Sequence, residues 1–138
     1  MSGVIRIAAD QLSALVALLF VAAGIPDTAA ITVARALVDA DLEGQSSHGV
    51  MLVEMYLDRI RKGSVSLKQA GEIVSDKGAS VVLDAHHALG HLTGDQAIKI
   101  AIERARRFGA GLVAVRHAFH FGTARRGMTT GTGDCYSA

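Results

Sequence analysis

The chain has 138 residues, half of them apolar, with a formal net charge of +1 from 14 Lys and Arg against 13 Asp and Glu. That length supports one domain with a core of its own, and with no Trp, two Tyr and four Phe the core must be built from Ala, Val, Leu and Ile. Balanced, interspersed charge supplies neither the basic stripe that nucleic acid requires nor a polybasic membrane patch, and the one cysteine, Cys135, excludes an intramolecular disulfide and fits a reducing, cytoplasmic compartment.

Near the N-terminus, "ALVALLFVAAG" is too short for a bilayer helix, and Asp10 stands where a secretion signal would be basic. It is read as part of a buried helix over about 9–23, closed by Gly24, with Pro26 and Asp27 opening a second helix over 27–43. Ile31, Val33, Ala34, Leu37 and Val38 share one face of that second helix. After the polar break "QSSHG", helical spacing through Leu52, Met55, Tyr56 and Ile60 predicts a third helix over 49–62 that ends in basic residues.

"GEIVSD" and "ASVVLD", separated by Lys77 and Gly78, predict strands over 71–76 and 79–84 joined by a tight turn. "LTGDQAIKIAIERARRFG" is the clearest helix, over 92–108, with Ile98, Ile102 and Ala105 on one face. "AGLVAVRH" predicts a buried strand over 111–117. The fold class is therefore mixed α/β: a helical first section, then a hairpin and a helix-strand unit. Residues 1–126 form this section, and 127–138 are a divergent stretch rich in Gly and Thr, expected to be disordered because only Met128, Cys135 and Tyr136 are available for burial.

Three stretches can carry chemistry. In "SSHG", His48 sits between two helices and can present its ring where backbone donors favour negative charge, or Ser46 or Ser47 can simply cap the third helix. In "HAFHFG", which follows a strand, His120 can act as an acid or base near neutral pH, and Gly122 lets a ligand approach the backbone. His117 and His120 lack the neighbours that would complete a metal site. "DAHHALGH" holds His86, His87 and His91 but falls between hairpin and helix, so it reads as a polar loop rather than a ligand set. No "GxGxxG" occurs, so a Rossmann dinucleotide site is not supported.

The runs "ALVDADLEGQSSHGVMLVEMYLDRIRKGSV", "LDAHHALGHLTGDQAIKIAIERARRFG" and "GLVAVRHAFHFGTARR", in that order, resemble the malate/L-lactate dehydrogenase-type NAD(P)H-dependent oxidoreductases, a family that includes ureidoglycolate, sulfolactate, diketogulonate and cyclic-imine reductases. The resemblance implies a non-Rossmann fold, NAD or NADP as cofactor, and a small 2-oxoacid or imine as substrate. It implies His48 and His120 as the catalytic pair, with His48 favoured as acid/base. Ser47, His120 and Gly122 would contact cofactor, Tyr56 would contact substrate, and no metal would take part. Many members carry an arginine where this chain has Leu52, which cannot make a bidentate contact with a carboxylate.

The resemblance also implies a homodimer, since Leu15, Leu18, Leu19, Phe20, Val21, Ile31, Val33, Leu37 and Val53 exceed what a hairpin and one helix can cover. Family members continue beyond position 126, so the chain is expected to be the N-terminal part of a longer enzyme, cut by a frameshift, an early stop or an artificial boundary, and inactive alone. The alternative is a non-catalytic remnant that serves as a self-associating interaction module.

Overall fold

A computed structural model describes residues 5–125, so the expectation for 127–138 lies outside the described residues. Four helices and three strands follow in order: α1 (Ala9–Ala22), α2 (Asp27–Leu42), α3 (Val53–Arg61), β1 (Glu72–Lys77), β2 (Ser80–Asp84), α4 (Gly90–Phe108) and β3 (Leu112–Arg116). The mixed α/β class is as the sequence predicts, and most boundaries agree within one or two residues.

The first three helices enclose the main core. Val16, Ala17 and Phe20 of α1 meet Ala30, Val33, Ala34 and Leu37 of α2, with Val53, Tyr56 and Ile60 of α3 closing the third side. Alanines at 30 and 34 let the two helix backbones come close, while the larger side chains interlock beside them. Of the apolar residues expected to seek a partner, Phe20, Val33, Leu37 and Val53 are consumed by this core, and Leu15, Leu18, Leu19, Val21 and Ile31 face outward. No helix among the described residues is long and apolar enough to cross a membrane.

The third helix begins four residues later than its apolar spacing predicts. Ser46–His48 and Val50–Leu52 are single 3-10 turns separated by Gly49, whose backbone is extended. The Val50 N–H is taken by a carboxylate oxygen of Asp41 at 2.9 Å, a side chain reaching across from α2. That contact ties the histidine turn to α2 and delays regular helix until Val53. Neither serine caps α3.

β1 and β2 pair antiparallel through the Lys77–Ser80 turn, with a register irregularity between Ile73 and Ser75. β2 and β3 pair parallel, Ser80 beside Leu112 and Asp84 beside Arg116, with α4 as the crossover. Only the central strand is well buried, through Val81 and Leu83. The apolar run predicts a buried β3, but among the described residues it is an edge strand with one neighbour, and Leu112 is largely exposed. Its unbroken apolar run is the pattern of a strand covered on both faces, yet α4 is the helix that packs on it within the described residues.

Burial separates the large apolar side chains of the helices by energetics. Phe20→Ala removes a fully buried ring and is expected to cost about 3–5 kcal/mol, whereas Leu42→Ala, at the exposed end of α2, should stay within about 0.5 kcal/mol. Urea unfolding followed by circular dichroism checks both.

Candidate active site

The site forms where three separate segments converge on one imidazole. Beyond β3 the chain passes back over the first turn of α4, a route available only because residue 90 has no side chain. A Cβ there would strike the Phe119 carbonyl oxygen and lie 2.6 Å from that of His120. This close approach sets the height of His120 above α4.

The 3-10 turn after α2 carries His48 to the same place, and the His48 and His120 rings lie 5.3 Å apart, inclined by 33°. Ser47 Oγ is 2.9 Å from His48 Nδ1, so the serine hydroxyl orients its neighbour's ring instead of capping a helix. From the core side, the Tyr56 hydroxyl reaches His120 Nδ1 at 2.5 Å. Phe20 and Phe119 flank the Tyr56 ring, with centroids at 6.3 and 5.2 Å.

Electrostatics follow from this placement. Burial pushes the Tyr56 phenol above its ordinary value, so it keeps its proton. Burial, and then the neighbouring His48, hold His120 below the ordinary 6.5. The pair thus joins an imidazole held toward its neutral form to a second one held by a serine, both of them partly buried.

The sequence expectations meet the structure unevenly. His48, His120 and Ser47 gather at this one locus, whereas Gly122, expected to let a ligand approach the backbone, is buried with the His91 ring where a Cβ would stand. Tyr56, expected to touch substrate, has no exposed surface and meets His120 instead. Leu52 packs against the helical core. His91, set aside as part of a polar loop, is the residue sequence reasoning missed: it is 1 % exposed, with its ring 5.9 Å from that of Tyr56 and 6.4 Å from that of His120. Its place in the first turn of α4 follows from that helix beginning at Gly90, two residues before the apolar spacing predicts.

The other histidines form a separate cluster at the paired ends of β2 and β3. The nearly buried Asp84 accepts the His86 backbone N–H at 2.9 Å and Arg116 Nε at 2.8 Å, with His117 Nδ1 at 3.1 Å. These contacts, the backbone bond from His86 foremost, hold its carboxyl well below the usual carboxylate range. His86, His87 and His117 all adopt positive φ, at 49°, 60° and 50°. Though three residues apart, His117 and His120 serve different partners, Asp84 and Tyr56. Among the described residues, no group of three or more His, Cys, Asp or Glu is arranged to hold a metal ion.

Comparison with known proteins connects this geometry to a family. The family model described as malate/L-lactate dehydrogenase matches residues 7–129. The malate dehydrogenase of Pyrococcus abyssi is 38% identical over 120 residues, which is 87% of this chain and 33% of that protein. The L-sulfolactate dehydrogenase of Methanocaldococcus jannaschii is 38% identical over 101 residues, 73% of this chain and 29% of the relative. The solved structure of malate dehydrogenase from Pyrococcus horikoshii OT3 superposes with a TM-score of 0.86 at 32% identity, over 91% of this chain and 36% of that one. The chain therefore spans about a third of the length of the relatives it matches. With a family model over most of its residues and the same fold in the superposed section, the chain belongs to the malate/L-lactate dehydrogenase family of oxidoreductases.

Proposed function

We propose that this chain supplies the acid/base half of an active site for hydride transfer between NAD or NADP and a small 2-oxoacid or cyclic imine. The observation that carries the reading is the pair of imidazoles 5.3 Å apart, one of them fixed from below by a buried phenol. In reducing a carbonyl or imine, a hydride goes to carbon and a proton to oxygen or nitrogen. Two histidines in unlike environments divide the proton work, because two adjacent imidazolium charges repel.

His120 is the neutral partner. With a protonated phenol donating to Nδ1, the neutral ring carries its own proton on Nε2 and offers it as a hydrogen bond to the substrate oxygen or nitrogen. His48, oriented by Ser47, is then the group that gives and takes the proton. Tyr56 acts through His120 rather than by touching substrate.

The donor set fits a nicotinamide dinucleotide. Ser47, His48 and His120 bring hydrogen-bonding atoms together at one place, while Gly122 lies buried against the His91 ring and supports their backbone from behind. The bound nicotinamide would supply the hydride; everything else asked of these residues is orientation and proton handling. Leu52 cannot supply the forked contact an arginine gives a carboxylate, so the substrate is proposed only as far as the 2-oxoacid or cyclic-imine class.

The outward face of α1 supports a second element of the proposal, a homodimer. Leu15, Leu18 and Leu19 form an exposed apolar stripe on one short helix, larger than scattered surface leucines account for. The same stripe is the basis of the alternative, a non-catalytic module that only associates. In sedimentation velocity the wild-type chain is expected to run as a dimer and Leu15→Glu/Leu18→Glu as a monomer; a wild-type monomer at high concentration would remove both the dimer and the module reading.

Activity is tested in a chimera in which residues 7–125 replace the matching section of a related malate dehydrogenase. Oxidation of NADH or NADPH with 2-oxoacids or cyclic imines is expected, with His48→Ala and His120→Ala each lowering kcat by about 10²–10⁴-fold. Unchanged rates in both variants would sink the proposal.

Stability should also respond to pH through His120. Its folded value lies below 6.5, so the unfolded chain binds this proton more readily, and the contribution of the neutral ring is fully present above 6.5 and lost as pH falls through the folded value. Melting temperature is expected to fall between pH 7.5 and pH 5, and to fall less over that window in His120→Gln.

A further inference from the structure

Behind the imidazole pair lies a residue that the acid/base account does not use. His91 opens α4 with a ring almost entirely removed from solvent, in contact range of the Tyr56 ring on one side and the His120 ring on another. Gly122 closes over it: a Cβ at that glycine would come within 2.6 Å of His91 Nε2, and the glycine's φ of +84° turns the chain back across the imidazole. The segment from His120 to Gly122 is therefore pinned at two levels. Gly90 lets its carbonyl side settle onto the start of α4, and His91, the next residue, fills the space beneath its far end.

We propose that His91 is a positioning residue for this site, a buried ring that carries the His120–Gly122 backbone and keeps His120 pressed against the Tyr56 hydroxyl. Its role is one of shape. Tyr56 is anchored in the helical core between Phe20 and Phe119, and His120 hangs from a loop beyond an edge strand; the loop needs a solid floor if a 2.5 Å contact is to persist. Close-packed interiors transmit the loss of such a floor to whatever rests on it. The proposal rests on the acid/base reading only for what His120 does; the placement of His120 is measurable without substrate or nicotinamide.

The test is a nuclear magnetic resonance titration of the His120 ring in the full 138-residue chain, reading its midpoint and, from the ring nitrogens, its tautomer. In the wild type the ring should titrate below 6.5 and favour the Nε2–H form, with His48, Tyr56 and His91 as the titratable groups facing it; because His91→Ala and His91→Phe both remove the third of these, comparing the two variants separates shape from charge. His91→Ala should move the midpoint upward, because water enters behind the ring, and bring the two tautomers toward comparable populations, as Tyr56→Phe should also do. His91→Phe, which keeps a ring and discards the nitrogens, should restore both readings.

A midpoint and tautomer unchanged in His91→Ala would overturn the proposal. So would a His91→Phe variant that behaves like His91→Ala, since the nitrogens and not the shape would then be at work. Should His91→Ala fail to fold, Gly122→Ala reports in its place, because the added methyl group displaces the loop from the same ring: an upward midpoint supports the proposal and an unchanged one refutes it. Loss of oxidoreductase activity in the chimera with a normal His120 titration would count against the acid/base reading alone.

Discussion

Everything at the candidate site depends on one short hydrogen bond between layers. Tyr56 belongs to the helical half of the molecule and His120 to the segment that follows the sheet, and the phenol hydroxyl joins the two at the candidate site. A tyrosine suits this place because its ring satisfies an apolar core while its one polar atom finds a partner at the edge. Phenylalanine would keep the packing and leave His120 free to rotate; a shorter polar residue would reach neither.

That dependence explains why the helices come first and are packed so tightly. Alanines along α2 bring α1 close, α3 is wedged across both, and Tyr56 is thereby held within a fixed wall. The Asp41 contact to Val50 does comparable work for His48, tying the 3-10 turn to the end of α2. Two imidazoles carried by unrelated loops are thus placed relative to one another by the same three-helix core. A dehydrogenase needs such rigidity because positioning of reacting groups is itself a large part of the barrier reduction.

Periodic features were legible in the sequence. The amphipathic spacing of α2 and α4, the hairpin at Lys77 and Gly78, and the strand after α4 all appear where apolar repeat and turn residues place them. Features set by contacts between distant residues were not. The late start of α3 depends on a carboxylate nine residues away, and the exposure of β3 depends on which strands flank it. At the site, "SHG" and "HFG" drew attention to His48 and His120, which the fold brings side by side, but nothing local marks the histidine that lies beneath them. His91 looked like one of three loop histidines; its burial follows from α4 beginning two residues earlier than its spacing predicts and from a glycine more than thirty residues downstream closing over it. Tyr56 was placed on the correct helix, and only the tertiary structure shows that it points inward.

The three left-handed histidines at 86, 87 and 117 bear on how this chain can vary. A side chain held at positive φ carries a backbone cost on the order of 1–2 kcal/mol relative to the right-handed region, and the Asp84 contacts and the His87 N–H bond to the His117 carbonyl hold it there. Such positions accept a narrow alphabet: glycine, asparagine and aspartate fit, and β-branched residues are excluded whatever their polarity. Sequence drift at the ends of β2 and β3 is thereby channelled toward small and polar residues, so the histidine richness that draws the eye in "DAHHALGH" records a conformational filter as much as any chemistry.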